Sequence, residues 1–101
     1  MISVTVVRNR QRKITAFTAN NHGRSEVCAA VSLMVLNTVN SIEALTGEPF
    51  SCDYDENGGF ITFSLTGTPE RESGLLLESM LLGLRSVQEQ YKGEIEITDT
   101  E

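Results

Sequence analysis

The sequence predicts a single α+β domain in which an antiparallel or mixed sheet carries two packed helices, in the order ββαββαβ. Short segments in which apolar residues alternate with period two occur in pairs, which predicts strands joined by tight turns. A long apolar segment follows each pair, which predicts helices covering one face of the sheet. With 101 residues, the chain suffices for one domain, residues 1–101, with its own core.

The predicted strands are rich in β-branched or aromatic residues and are bounded by turn signals. They are residues 2–7, 13–19, 50–54, 60–65 and 94–98. The polar segment 8–12 should close the first hairpin, and Asp-Glu-Asn-Gly-Gly at 55–59 the second. The last residues, 99–101, are expected to fray.

The first helix is expected to run from Ser25, as N-cap, to about Leu45, with Gly47 and Pro49 ending it. Its first half is apolar on nearly all sides, which is typical of a helix buried on more than one face. In so small a domain, the second face could meet another subunit.

The second helix is expected to begin with Thr68 as N-cap and Pro69 at the first helical position, and to end near Tyr91. Leucine, methionine and valine recur along it at steps of three and four residues. Such a stripe predicts one buried face.

The charge pattern disfavours nucleic-acid binding. The net charge is −6, whereas nucleic-acid binders carry a basic face that neutralises phosphates. One basic cluster exists, formed by Arg8, Arg10, Arg12 and Lys13, and we interpret it as a solvated hairpin tip. We therefore expect no direct nucleic-acid contact, whereas a basic partner would be steered toward an acidic protein.

The N-terminal residues lack the apolar run and small-residue cleavage site of a signal peptide. No stretch reaches the roughly 20 apolar residues that a membrane span needs. We therefore expect a cytoplasmic protein without membrane contact. In that reducing compartment Cys28 and Cys52 should remain free thiols.

The candidate catalytic residues are Cys28 and His22, six positions apart at the junction between a loop and the first helix. A cysteine attacks as the thiolate, and the unpaired N–H groups and dipole of a helix start stabilise that charge. An imidazole that reaches the sulfur could accept its proton and later protonate a leaving amine. The backbone N–H groups of Cys28 and Ala29 could then stabilise an oxyanion.

Other interpretations stay open from the residues alone. Cys28 could be a small core residue in a non-catalytic, homodimeric binding module, or an oxidation-sensitive thiol. Cys52 lies in a predicted strand without a helix end, which favours a structural role. Two cysteines and one histidine do not make a closed zinc site, and no cofactor motif occurs, so we expect neither metal nor cofactor.

The segment from His22 to Ser32 resembles the signature of the bacterial ribosomal-processing cysteine proteases. In that family a histidine ends a strand, a loop follows, and a helix begins with Val-Cys-Ala-x-x-Ser. Val27, Cys28, Ala29 and Ser32 are similar to that helix start, and the similarity continues through Asn40-Ser41-Ile42 and the 55–59 turn. The sequence departs from the family where Asn21 and Gly23 flank the histidine and where Ser25 replaces a common aspartate.

The resemblance implies a homodimeric peptide-bond hydrolase of ribosome biogenesis. Its members remove the N-terminal extension of large-subunit ribosomal protein number twenty-seven by cutting after phenylalanine. It implies Cys28 as nucleophile, His22 as general base and acid, and Ser32 as a supporting residue. It also implies that the loop residues Gly23, Arg24 and Ser25 cover the substrate pocket, although this loop is shorter than in many relatives. From the residues alone, Ser32 could equally bond back into its own helix.

Overall fold

The computed structural model describes residues 1–20, 25–55 and 59–100, without the side chain of Ser25. Its elements follow the predicted order, so the predicted ββαββαβ fold is confirmed. They are β1 (Ile2–Arg8), β2 (Ile14–Asn20), α1 (Ser25–Leu45), β3 (Phe50–Tyr54), β4 (Phe60–Leu65), α2 (Arg71–Gln90) and β5 (Ile95–Thr100).

The five strands form one mixed sheet in the order β3-β4-β2-β1-β5. β1 and β2 pair antiparallel, as do β2 with β4 and β3 with β4, whereas β5 pairs parallel to β1. The parallel pair forms because α2 crosses over the sheet before the chain returns beside β1. β3 and β5 are therefore the two edge strands.

One face of the sheet is buried beneath the helices. The register aligns inward residues across strands, as in Val6 with Phe17 and Phe17 with Phe63, and the rings of the two phenylalanines stack 5.1 Å apart. The opposite face carries small polar residues such as Thr5, Thr18 and Thr62, which are partly exposed. This inside–outside alternation fixes the register because a one-residue slip would expose every inward side chain.

α1 follows its predicted bounds closely. It begins at Ser25 and ends at Leu45, and Gly47 adopts a φ of +72°, a left-handed conformation that glycine adopts without strain. By length and hydropathy, α1 is apolar enough to span a membrane, contrary to our expectation. Its valines and Ile42 are buried in the protein core, and core helices commonly have this composition.

α2 packs against α1 at a close contact. A Cβ atom added at Gly83 would lie 2.5 Å from the terminal methyl carbon of Met34. The absence of a side chain at residue 83 therefore lets the methionine fill the space between the helices.

The predicted start of α2 was wrong. The N-cap is Glu70, with extended backbone angles and no hydrogen bond from its own side chain, and the helix begins at Arg71. The reason is a distant residue: the backbone N–H of Glu70 donates to the buried carboxylate of Glu48 at 3.1 Å. This carboxylate holds the chain extended through Glu70 and complements the positive end of the helix dipole.

The C-terminal strand and the basic cluster also differ from expectation. β5 extends to Thr100, whose hydroxyl donates to the Val6 carbonyl at 2.9 Å, so residues 99 and 100 do not fray. The Arg8 side chain is 11% exposed and donates to Asp99 at 2.7 Å and Glu78 at 2.6 Å. Arg8 is thus a structural cation, whereas Arg10, Arg12 and Lys13 are exposed as predicted.

Candidate active site

Cys28 lies in the first turn of α1 and is a partly buried cysteine, outside any disulfide, that packs against the edge of the core. Its neighbours Val27 and Val31 are fully buried, whereas Ala29 is exposed. Since successive helical residues are 100° apart, Cys28 faces the boundary between the core and one flank of α1. Its sulfur is therefore at the margin of the core rather than at its centre.

His22, Gly23 and Arg24 lie outside the described residues, and so does the Ser25 side chain. β2 ends at Asn20 and α1 begins at Ser25, so four residues join the two elements in the sequence. The candidate base is one of these four.

Ser32 and Ala29 take different positions around the same helix. Ser32 is one turn after Cys28 on the same side, a spacing that separates Cβ atoms by about 5–6 Å. Cys28 and Ala29 both lie within the first five residues of α1, which begins at Ser25, so their backbone N–H groups lie at the positive end of the helix dipole.

A groove runs along this flank of α1, between the helix and the edge strand β3. Its first section is a cavity of about 380 Å³. Ser32, Leu36 and Asn40 line its helix side. The floor consists of buried apolar residues of α1, β2 and β4: Ala19, Val31, Val35, Val39 and Ile61.

Two aromatic residues form the opposite lip of the groove. Tyr54 is 63% exposed and Phe60 is 46% exposed, and both line the first section. The groove continues into a second cavity between Glu43 of α1 and Phe50 of β3, with Val39, Asn40, Cys52 and Tyr54 shared by both sections. The result is a continuous apolar channel that begins beside Ser32.

The charges along the groove are negative. Among the described residues that line its two sections, the charged side chains are Asp55, Glu43 and Glu48, and none is lysine or arginine. This agrees with the expectation that the acidic protein draws a basic partner.

The second thiol lies in the groove wall. Burial raises the pKa of the Cys52 thiol, and the nearby charge of Asp53 raises it further. Both effects favour the protonated form, which is the poor nucleophile. Cys52 therefore contributes surface to the groove rather than a reactive sulfur.

Sequence reasoning missed the groove residues. Leu36 and Asn40 continue the side of α1 that carries Ser32, and Cys52 and Tyr54 alternate along β3. Both periodicities were visible in the sequence, but the edge position of β3, which leaves its inner side uncovered, was not.

Similarity to one protein family extends over nearly the whole chain. The model for cysteine protease Prp matches residues 1–96, which includes the helix start, both hairpins and the groove. The chain belongs to the Prp family of cysteine proteases. The suspected resemblance is therefore confirmed, and the protein is a cysteine protease by family.

Two relatives align with this chain over almost its full length. It is 32% identical over 103 residues to the ribosomal processing cysteine protease Prp of Staphylococcus aureus strain Mu50, an alignment covering 96% of this chain and 97% of that protein. It is 30% identical over 108 residues to the Prp of Bacillus subtilis strain 168, covering 97% and 96%.

Solved Prp structures share the fold. A crystal structure of the essential ribosomal processing protease Prp from S. aureus, in complex with a covalently linked product peptide, superposes with a TM-score of 0.93 at 32% identity, covering 99% of this chain and 100% of that chain. A second S. aureus Prp structure, in complex with a substrate peptide, gives a TM-score of 0.91 at 29% identity and the same coverage.

Proposed function

We propose that this protease removes the N-terminal extension of large-subunit ribosomal protein number twenty-seven by cutting after a phenylalanine, with Cys28 as nucleophile and His22 as base. The observation that carries the proposal is the partly buried thiol of Cys28 at the start of α1, one turn before a residue that lines an apolar groove. A thiol in the first helical turn is where the unpaired N–H groups stabilise a sulfur anion.

In the acylation step, His22 accepts the proton of the Cys28 thiol, and the sulfur attacks the carbonyl carbon of the scissile bond. Backbone N–H groups at the start of α1, with those of Cys28 and Ala29 as the candidates, would stabilise the oxyanion. His22 then protonates the leaving amine, the peptide bond breaks, and a thioester remains. This step accounts for a covalently linked product peptide, such as the one in the S. aureus relative.

In the deacylation step, His22 accepts a proton from water, and the resulting hydroxide attacks the thioester. The carbon–sulfur bond breaks, the imidazolium of His22 returns its proton to the Cys28 sulfur, and the extension peptide leaves with a new carboxyl group. Neither step consumes a cofactor. Ser32, on the same side of α1, would orient the substrate beside the sulfur.

The groove supports the substrate assignment. Its floor is apolar, and Leu36, Tyr54 and Phe60 border a section of about 380 Å³ that is large enough for an aromatic side chain. The carboxylates of Asp55 and Glu43 suit a peptide with basic residues. A nascent ribosomal protein is encountered in the cytoplasm, which would be the site of action.

We also propose a homodimer. Leu33 of α1 and Leu82 of α2 are 71% and 70% exposed, and Leu33 agrees with the expected second apolar face of α1. A partner subunit would cover these side chains.

The test compares the two cysteines in one assay, the cleavage of a fluorogenic peptide that spans the precursor's extension and cleavage site. We expect Cys28→Ala to lose all detectable cleavage, because the thioester cannot form. Cys52→Ala, the matched control, should retain at least about a tenth of the activity, because truncating one wall residue removes contacts worth about 1 kcal/mol. Cleavage by Cys28→Ala at the native rate would reject Cys28 as the nucleophile, whereas no cleavage by the unaltered protein would favour a non-catalytic binding module.

A further inference from the structure

The β3 strand has one side without a partner. It is an edge of the sheet, and its only paired neighbour in the described part of the chain is β4. An edge strand presents a row of backbone donors and acceptors that another extended segment can pair with.

The hydrogen bonds at the two ends of the β3–β4 pair determine which backbone groups of β3 point toward the open edge. The Asp55 N–H donates to the Phe60 carbonyl at 3.0 Å, and the Thr66 N–H donates to the Pro49 carbonyl at 3.3 Å. Residues 49 and 55 therefore direct their backbone groups toward β4. Since the direction alternates along a strand, residues 51 and 53 do the same, and Phe50, Cys52 and Tyr54 direct their N–H and C=O groups to the open edge.

The same three residues face the groove. Cys52 pairs with Phe63, and Tyr54 pairs with Ile61, both of which are buried beneath the helices. Side chains directly opposite each other lie on the same face of a sheet. The open backbone groups of β3 thus lie directly beside the channel that Cys52 and Tyr54 line.

The Tyr54 end of β3 is the end that lies nearer to the start of α1. Tyr54 pairs with Ile61, and the neighbouring Phe60 pairs with Asn20, the last residue of β2. Asn20 lies five residues before the start of α1. A chain laid along β3 therefore passes Phe50 at the far end and reaches the start of α1, with Cys28, at the Tyr54 end.

We propose that the substrate peptide binds in extended form as an added strand on the open edge of β3, and places alternate side chains in the groove between β3 and α1. The proposal rests on the proposed proteolytic function and adds to it the manner of substrate recognition. The occupant is a peptide rather than a second copy of this chain because the edge is continuous with a channel ending near the nucleophile. In this mode main-chain hydrogen bonds supply affinity, and alternate side chains supply selectivity.

The first test is a scan of the fluorogenic precursor peptide in which each backbone nitrogen is methylated in turn. Methylation at a nitrogen that donates to β3 should lower kcat/KM by about tenfold, the factor expected for one lost hydrogen bond. Methylation at the next residue, whose N–H points away, should change it by less than about twofold. The expected result is a loss that alternates with period two over the residues on one side of the scissile bond.

The second test changes the enzyme at Tyr54. Both Tyr54→Pro and Tyr54→Ala remove the ring, but only the proline variant removes the outward N–H donor. Proline is tolerated on an edge strand where the N–H points to solvent, so the bonds to β4 persist and both variants should unfold at the same temperature. We expect KM for the proline variant to exceed that of the alanine variant about fivefold.

Equal kcat/KM values for all methylated peptides, with an enzyme whose activity requires Cys28, would overturn the added strand and leave the proteolytic function intact. Equal values together with a change of oligomeric state in Tyr54→Pro would assign the edge to a second copy of the chain and would likewise overturn the proposal. The scan uses the unaltered enzyme, so it decides the matter even if a Tyr54 variant fails to fold.

Discussion

The two ends of the sheet use polar groups in opposite ways. At the β1–β5 end, Arg8 is 11% exposed and is held by Asp99 and Glu78. At the β3 end, an apolar channel carries carboxylates, and no lysine or arginine is among its described lining residues. The first end pairs its charges within the fold, whereas the second exposes a carboxylate at Glu43 and an edge of β3 that no described strand covers. A substrate can supply the strand partner at that edge.

The largest effect on stability is expected for Arg8→Met. Arg8 also donates to the Arg12 carbonyl at 2.7 Å, so it joins β1, β5, α2 and the first hairpin turn. Its loss would leave Asp99 partly buried without this cation and should lower the free energy of unfolding by about 2 kcal/mol, less than for a fully buried pair. Urea denaturation measures this change.

The same variant should leave kcat/KM within about twofold of the native value, because Arg8 lies at the end of the sheet opposite β3 and mutations at distant sites are usually independent. If Arg8→Met abolished cleavage while the protein remained folded, the two ends would be coupled and the comparison would fail.

A smaller effect is expected for Asp99→Asn. The hydrogen bond from Arg8 lowers the pKa of Asp99, and the charges of Arg8 and Arg85 act in the same direction. A carboxyl whose pKa is lowered in the folded state stabilises that state at pH values above the ordinary carboxyl pKa of about 3.9. This contribution is lost as the pH falls through the lowered pKa. At pH 7 the substitution should cost about 1 kcal/mol, since Asp99 retains partial solvent exposure.

The pH dependence provides the control for Asp99→Asn. The difference in unfolding free energy between the native protein and the variant should shrink as the pH is lowered through about 4 toward 2, because the native carboxyl becomes protonated there. A difference that stays constant from pH 7 to pH 2.5 would mean that shape, and not charge, accounts for the cost.

Local sequence signals predicted most of the fold. The bounds of α1, β3 and β4 follow from features within a few residues of each end, such as Gly47 after the helix. The errors lie where a distant residue decides the local structure. Glu48 moves the start of α2 to Arg71, and Arg8 orders the C-terminal strand from 91 residues away. No pattern near Thr68 or Asp99 carries that information.

The candidate site likewise has one part that local sequence predicts and one part that depends on distant elements. The position of Cys28 at a helix start was accessible because Ser25, Glu26 and the apolar run that follows predict the helix locally. The groove was not accessible, since it depends on β3 being an edge strand and on α1 leaving its inner side uncovered. Cys52 illustrates the result: a strand cysteine predicted to be structural also lines the channel.

The central claim is that Cys28, and not Cys52, supplies the reactive sulfur. The most direct measurement is the alkylation rate of each cysteine by iodoacetamide in the folded protein at neutral pH, resolved by peptide mass spectrometry. We predict that Cys28 reacts at least about tenfold faster than Cys52, whose raised pKa keeps it protonated, and that the precursor peptide protects Cys28. Equal rates, or faster reaction at Cys52, would contradict the account.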